Sequence, residues 1–264
     1  MSRFRTTEIS DPRFESNQLR FITVKSQNLR GRGDICLFVP RGAHRDLPLV
    51  ILLHGVYGSC WSWSHQAGVH LQLEKAIANG KLPPMILVMP SDGLWGDGSA
   101  YLPHNHRDFE SWIVDDVPNA VIENIPAASK DSPLFIAGLS MGGFGALRIG
   151  AKFGSRFTAF AAHSSITKLE QMKSFVEEDV SQYRQEDQTE MEVFQMILRN
   201  REHLPPLRFD CGKEDDLFQE NLLLHQCLEE QGIPHEFLAH PGAHHWPYWE
   251  NHIGETLRFF ADQL

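Results

Sequence analysis

The sequence predicts an α/β fold: a mostly parallel central sheet with helices on both faces and an N-terminal antiparallel hairpin. Short apolar runs of strand length recur at Leu49–Leu53, Met85–Met89 and Leu134–Ile136, without the polar alternation of a solvated sheet. Segments of helical character separate these and later strands, the pattern that builds parallel sheets through right-handed crossovers. Ahead of them, Leu19–Lys25 and Ile35–Val39 read as a hairpin joined through Arg30-Gly31-Arg32-Gly33-Asp34.

Leu49–Leu53 is a fully apolar strand ending in His54-Gly55. A helix over Leu71–Asn79 is stopped by Gly80 and the Pro83-Pro84 pair, and Met85–Met89 is the next strand, closed by Pro90. Phe109–Ile125 reads as a helix, because Trp112, Ile113, Val117, Val121 and Ile125 share roughly one face. After Leu134–Ile136 and its helix, Phe157–Ala162 is a strand. Lys168–Asn200 is mostly charged and reads as two helices, and the wider segment 166–204 stands where a helical lid would be inserted. Leu207–Cys211 is a strand, Leu217–Glu230 a helix and His235–Ala239 a strand. The closing helix carries Ile253, Leu257, Phe260 and Leu264 on one stripe.

At 264 residues the chain suits a single domain over 1–264, able to bury roughly three-quarters of its unfolded surface. A formal charge of −10 argues against a nucleic-acid or anionic-membrane partner, since both need clustered Lys and Arg. No apolar run approaches a membrane span, and the first 21 residues lack the apolar core of a signal peptide. A cytoplasmic location is therefore expected. Cys36, Cys60, Cys211 and Cys227 show no C-x-x-C spacing and are expected to be reduced thiols. A homo-oligomer is left open.

The most informative stretch is Leu134 to Ile149, LFIAGLSMGGFGALRI, with a G-x-S-x-G nucleophile elbow at Gly138-Leu139-Ser140-Met141-Gly142. A serine on so tight a strand-to-helix turn is forced into a strained backbone conformation. Side chains two residues either side would collide there, so glycine belongs at both positions. Gly145 and Ala146 are expected to let the following helix lie close to the strand. The hydroxyl then stands at a helix N-terminus, where free N–H groups can receive an oxyanion.

A serine hydroxyl needs a base, and the base needs a group to orient it. On this fold the order is Ser, acid, His. The acid loop is Phe209-Asp210-Cys211-Gly212-Lys213-Glu214-Asp215-Asp216-Leu217, directly after a strand. Asp215 is placed to turn back over the sheet edge. Asp216, the main rival, precedes Leu217 and lies three before Gln219, like a helix N-cap with a capping-box partner; Glu214 and Asp210 come behind. The histidine loop, His240 to Trp249, offers the adjacent His244 and His245. Its Pro-Gly-Ala turn favours His244, with His245 leading away.

Strand-His54-Gly55, GLSMGGFGA, CGKEDD and PGAHHWPYW together resemble the putative-esterase family of α/β-hydrolases from about residue 19 to the end. That family includes S-formylglutathione hydrolases, feruloyl and acetylxylan esterases, tributyrin esterases and mycolyltransferases. Its G-x-x-D position falls on Asp215, and its G-G-H-D-W pattern places the base at His244. Ala243 stands for the second glycine and His245 for the aspartate, which weakens assignment to one subfamily. The resemblance implies an α/β-hydrolase fold and a serine carboxylesterase acting on short-chain or aryl esters. A thioesterase of the S-formylglutathione hydrolase type is the alternative. Catalytic Ser140, His244 and Asp215 need no metal or organic cofactor and take a small-molecule ester as partner.

The oxyanion would be received by the backbone N–H of Met141, the residue after the nucleophile, and, by resemblance, that of Val56. His54 is expected to brace the latter loop. Trp61, Trp63 and Trp95 leave strand ends at the same edge and are candidate substrate contacts, although Trp61 or Trp63 could equally pack under its own loop. Two rivals remain. His104-Asn105-His106-Arg107-Asp108 has zinc-hydrolase spacing, but Phe109 stands where such a motif continues with histidine. A non-catalytic interaction protein on this fold would normally have lost a triad member, and none is missing.

Overall fold

The computed structural model describes residues 2–42 and 44–264. Strands β1 (Thr7–Ile9), β2 (Leu19–Ser26) and β3 (Gly31–Phe38) form an antiparallel edge. β4 (Leu49–Leu53), β5 (Ile86–Pro90), β8 (Leu134–Leu139), β9 (Ala159–His163), β10 (Leu207–Gly212) and β11 (Glu236–His240) follow in parallel, and β5 joins β3 antiparallel. The order is β1-β2-β3-β5-β4-β8-β9-β10-β11 in one nine-stranded sheet. β6 (Pro103–His104) and β7 (Arg107–Asp108) make a separate small hairpin that the sequence did not announce.

Alternate residues of each central strand point to opposite faces and feed two cores. Leu49, Ile51 and Leu53 enter one, with Ile136, Phe160 and Phe209. Its covering helices are α4 (Val117–Asn124), α5 (Met141–Lys152), α6 (Val193–Arg199) and α7 (Phe218–Glu230). Val50 and Leu52 enter the other with Phe135 and Ala137, under α1 (Ser62–Gln66), α2 (Val69–Ala78) and α8 (Trp246–Ala261). Phe135 of β8 stacks on Phe260 of α8 with centroids 4.8 Å apart, a geometry that contributes about 1 kcal/mol beyond area burial. The apolar runs are thus buried on both sides, as predicted.

Three local readings are corrected. The hairpin turn falls at residues 27–30, with Arg30 at φ +49°, and Gly31 to Asp34 belong to β3. Gly33 lies in that strand because a side chain there would strike the Trp112 ring, a packing reason invisible locally. The helix read over Phe109–Ile125 is α3 (Phe109–Ser111), a π turn (Trp112–Asp116) and α4. Pro118 carries no N–H to donate, and Asp116 is pulled out to bind Arg3, Ser26 and Asn28. Gly145 gives its open side to the Tyr101 ring rather than to β8.

The segment read as two helices is instead a chain of short 3₁₀ turns, Leu169–Ser174, Val180–Tyr183 and Gln188–Met191, before α6. Asp179 and Asp187 accept the backbone N–H of Ser181 and Thr189, local bonds that compete with helix propagation. Fully buried Arg148 of α5 ties this segment to the core by pairing with Glu110 and Glu190. All four cysteines are free, and no helix among the described residues is long and apolar enough to cross a membrane.

Candidate active site

The loops after β4, β8, β10 and β11 emerge at one sheet edge, because parallel strands share a C-terminal side. At its centre Ser140 joins β8 to α5 with φ +54° and ψ −120°, a strained conformation for a residue bearing a side chain. A Cβ on Gly138 would stand 2.1 Å from the carbonyl oxygen of Gly142; one on Gly142 would stand 2.5 Å from those of Leu53 and His54. Both collisions are with backbone, so neither position can relax by side-chain motion. Ser140 N–H donates to the carbonyl of His163 at 3.0 Å, which anchors the turn to β9. Met141 opens α5, so its N–H has no intrahelical acceptor.

The loop after β11 brings His244 over this serine. Ser140 Oγ donates to His244 Nε2 at 2.9 Å, and His244 Nδ1–H donates to both Asp215 oxygens at 2.9 and 3.1 Å. The Asp215 carboxylate is fully buried and Oδ1 also accepts Leu217 N–H at 2.8 Å. Burial opposes its ionisation, but the His244 hydrogen bond and charge and the Leu217 N–H outweigh it. The carboxyl is held below its ordinary range, so it is ionised at neutral pH.

The rivals beside each residue do other things. Asp216 is exposed and does not cap α7, whose N-cap is Leu217 without a side-chain bond; the capping-box reading is overturned. The short bond from Asp215 to Leu217 N–H shapes that entry instead. His245 is the N-cap of α8, its Nδ1 accepting Tyr248 N–H at 3.2 Å. Asp210 lies beneath the site, fully buried, accepting from His163 and Tyr248 and pairing with Arg208. Glu214 accepts Gly242 N–H and so joins the acid loop to the histidine loop.

His54 braces the loop containing Val56. Its Nδ1–H donates to Gly55 O at 2.7 Å, and Nε2 accepts Asp92 N–H at 3.1 Å, so the ring is spanned at both nitrogens. Tyr57, the next residue, adopts φ +58° and donates its N–H to Asp97 O at 2.7 Å. Val56 and Ser140 line one cavity of about 310 Å³.

Of the predicted tryptophans, Trp61 lines that cavity. Trp63 lies under its own loop, 1% exposed, with Nε1 donating to Leu53 O at 2.9 Å. Trp95 packs edge-on against His104 and Tyr183. Tyr57, in the same loop as Trp61, also lines the cavity, and three further aromatic residues on its wall, Phe175, Trp246 and Trp249, were not among the sequence candidates. Phe175 faces the His244 ring with centroids 5.6 Å apart, and Trp249 meets it edge-on at 5.1 Å. Trp246 and Trp249 sit in the histidine loop, where their residue type marks them; Phe175 lies in the charged 166–204 segment, whose lid-like place in the chain was legible but where no periodicity marks that residue.

His104, His106 and Asp108 fall on the β6–β7 hairpin. His104 Nε2–H donates to Ser99 O at 3.0 Å within an aromatic nest, and Asp108 caps α3 by accepting Ser111 N–H at 2.8 Å. His106 is exposed. Two of the three have structural duties.

A family model described as Putative esterase matches residues 26–260. An acetyl esterase of Caldicellulosiruptor saccharolyticus is 26% identical over 237 residues, covering 82% of this chain and 84% of that protein. Among solved structures, a ferulic acid esterase superposes with TM-score 0.79 at 21% identity, covering 99% of this chain and 100% of its own. An S-formylglutathione hydrolase from Agrobacterium tumefaciens gives TM-score 0.77 at 17% identity over the whole of both chains. These likenesses show the α/β-hydrolase fold.

Proposed function

The chain belongs to the putative-esterase family, and on that premise we propose that it is a serine carboxylesterase hydrolysing short-chain or aryl carboxylic esters through an acyl-enzyme. The observation that carries this is the unbroken hydrogen-bond chain from Ser140 Oγ through His244 to Asp215. Ser140 attacks the ester carbonyl while His244 Nε2 takes its proton. Asp215, ionised and buried, holds Nδ1–H and stabilises the imidazolium. The N–H groups of Val56 and Met141 receive the oxyanion. His244 returns the proton to the departing alcohol, and a water activated in the same way releases the acid.

A cavity of about 310 Å³ is at the small end of ligand pockets, and its aromatic wall suits a flat or short acyl group. Hydrolysis of p-nitrophenyl acetate tests the reading. It should survive EDTA, stop with a serine-directed phosphonate and disappear in Ser140→Ala. Loss on chelation with recovery on zinc would replace it with a metal mechanism. The thioesterase reading differs only in the leaving thiol; relative kcat/KM for acetyl, feruloyl and S-formylglutathione substrates separates the two. The free state of the cysteines supports a cytoplasmic site of action.

A further inference from the structure

We propose that Asp97 is a positioning residue that sets the oxyanion hole and clamps the 166–204 segment onto it, an inference that rests on the esterase reading above. The loop Gly96–Ala100 lies against both expected oxyanion donors. A Cβ on Gly98 would stand 2.4 Å from Met141 Sδ and 3.4 Å from Val56 Cγ1, and Ala100 N–H points at Met141 Sδ from 3.4 Å. A side chain at Gly98 would have to push the Met141 thioether aside.

Asp97 bonds to the two sides that meet there. Its carbonyl accepts Tyr57 N–H at 2.7 Å, and its Oδ2 lies 3.3 Å from the Tyr57 hydroxyl. Tyr57 is held at φ +58°, and its N–H shares a peptide plane with the Val56 carbonyl, so this bond anchors the chain immediately after Val56, one peptide beyond the Val56 N–H. Toward the other side, Asp97 Oδ2 accepts Glu177 N–H at 2.7 Å, while Glu178 Oε1 accepts Asp97 N–H at 3.0 Å. Tyr183 adds a hydroxyl bond to Gly98 O at 2.9 Å.

The clasp has two consequences. Phe175 stands two residues before Glu177, so the same bonds hold its ring against His244. The 166–204 segment is also stapled to the oxyanion loop in this conformation, a fixed wall where a freely swinging lid would lack such ties. An error of about 1 Å in a catalytic group costs on the order of 100-fold, which sets the scale of loss when a clasp of this kind is cut.

The test uses the full chain with active sites counted by phosphonate titration. Asp97→Ala keeps the backbone carbonyl that accepts Tyr57 N–H and the N–H that donates to Glu178, and removes the carboxylate ties to Glu177 N–H and the Tyr57 hydroxyl. Through the loosened 166–204 segment it should lower kcat per titrated site by roughly 10- to 100-fold with KM changed by less than about threefold. Inhibition by a boronic acid, whose tetrahedral adduct occupies the oxyanion hole, should weaken in step. Asp97→Asn should recover part of the loss, because its amide oxygen still accepts Glu177 N–H. Glu178→Ala removes the reciprocal bond, should shift kcat in the same direction, and serves if Asp97→Ala does not fold. Unchanged kcat per site, a loss confined to KM, or unaltered boronate affinity overturns the proposal. A wild-type chain that neither labels with phosphonate nor loses hydrolysis in Ser140→Ala overturns the esterase reading itself, and is recognised before any Asp97 variant is made.

Discussion

Replacing Asp215 by Asn keeps the shape of the side chain and removes only its charge and one acceptor. The buried carboxylate faces His244 Nδ1 at 2.9 Å through one oxygen and 3.1 Å through the other, while Oδ1 also holds Leu217 N–H. The amide can keep the Leu217 bond with its oxygen, which turns its NH₂ toward Nδ1. The imidazole then carries its proton on Nε2 and can no longer accept from Ser140. When His244 becomes charged in the transition state, the missing partner is a unit charge about 4 Å away, worth about 4 kcal/mol at an effective dielectric constant near 20. That converts to a fall of about 10³-fold in kcat, and the unfavourable tautomer adds to it. Steady-state hydrolysis of p-nitrophenyl acetate per titrated site is the assay, with Asp216→Asn alongside. KM should move little, because substrate touches neither group. An Asp215→Asn enzyme retaining more than about a tenth of wild-type kcat would refute the reasoning, and so would a larger loss in Asp216→Asn.

His244→Ala should remove activity, while His245→Ala should leave it and cost about 1 kcal/mol of stability through the lost α8 cap, read by denaturant unfolding. Gly142→Ala forces a Cβ to 2.5 Å from two backbone carbonyl oxygens and should lower Tm sharply or prevent folding, whereas an alanine at exposed Asp216 should not. Arg148→Ala removes one of the two cations that pair with Glu110 and Glu190, leaving Lys152 on both, and should destabilise by less than the ~3–5 kcal/mol of a fully stripped buried pair, with a double Arg148→Ala/Lys152→Ala variant losing more. Asp215 and Asp210 both titrate below their unfolded value. For Asp210 burial works against this, but His163 and Arg208 prevail. Groups with depressed folded pKa stabilise above the unfolded value near 3.9 and lose that contribution as pH falls through the folded one. Unfolding free energy should therefore decline below about pH 4, and Asp215→Asn should shallow that decline; parallel slopes would count against it.

The period and composition of the chain determined a good deal. Runs such as Leu49–Leu53 are apolar at every position, which only a strand covered on both faces requires, so the parallel sheet follows from residue type alone. The elbow was legible for the same reason: Gly138 and Gly142 answer a steric demand local to five residues. Chain order after β8 then narrowed the acid and base to two short loops. Within those loops, loop position and the family resemblance pointed to Asp215 over Asp216 and His244 over His245, and the side-chain directions supply the physical reason. Adjacent residues leave the backbone on different sides, and only the assembled edge decides which side holds Ser140. The same holds where sequence and structure part. The hairpin turn and the π turn at Asp116 were set by partners far along the chain, Trp112 against Gly33 and Ser26 and Asn28 on Asp116; the 3₁₀ turns have local Asp179 and Asp187 caps, and a distant partner, Asp97 on Glu177, holds their segment in place. Phe175 reached His244 by that last route, with no periodicity to mark it. Sequence by itself determined the sheet, the strained serine and the loops that meet it, because those answer short-range sterics and burial. Tertiary structure alone decided the distances at which the named side chains meet the hydroxyl and which further residues, Phe175 among them, wall the cavity, because long-range hydrogen bonds fix those and leave no periodic trace.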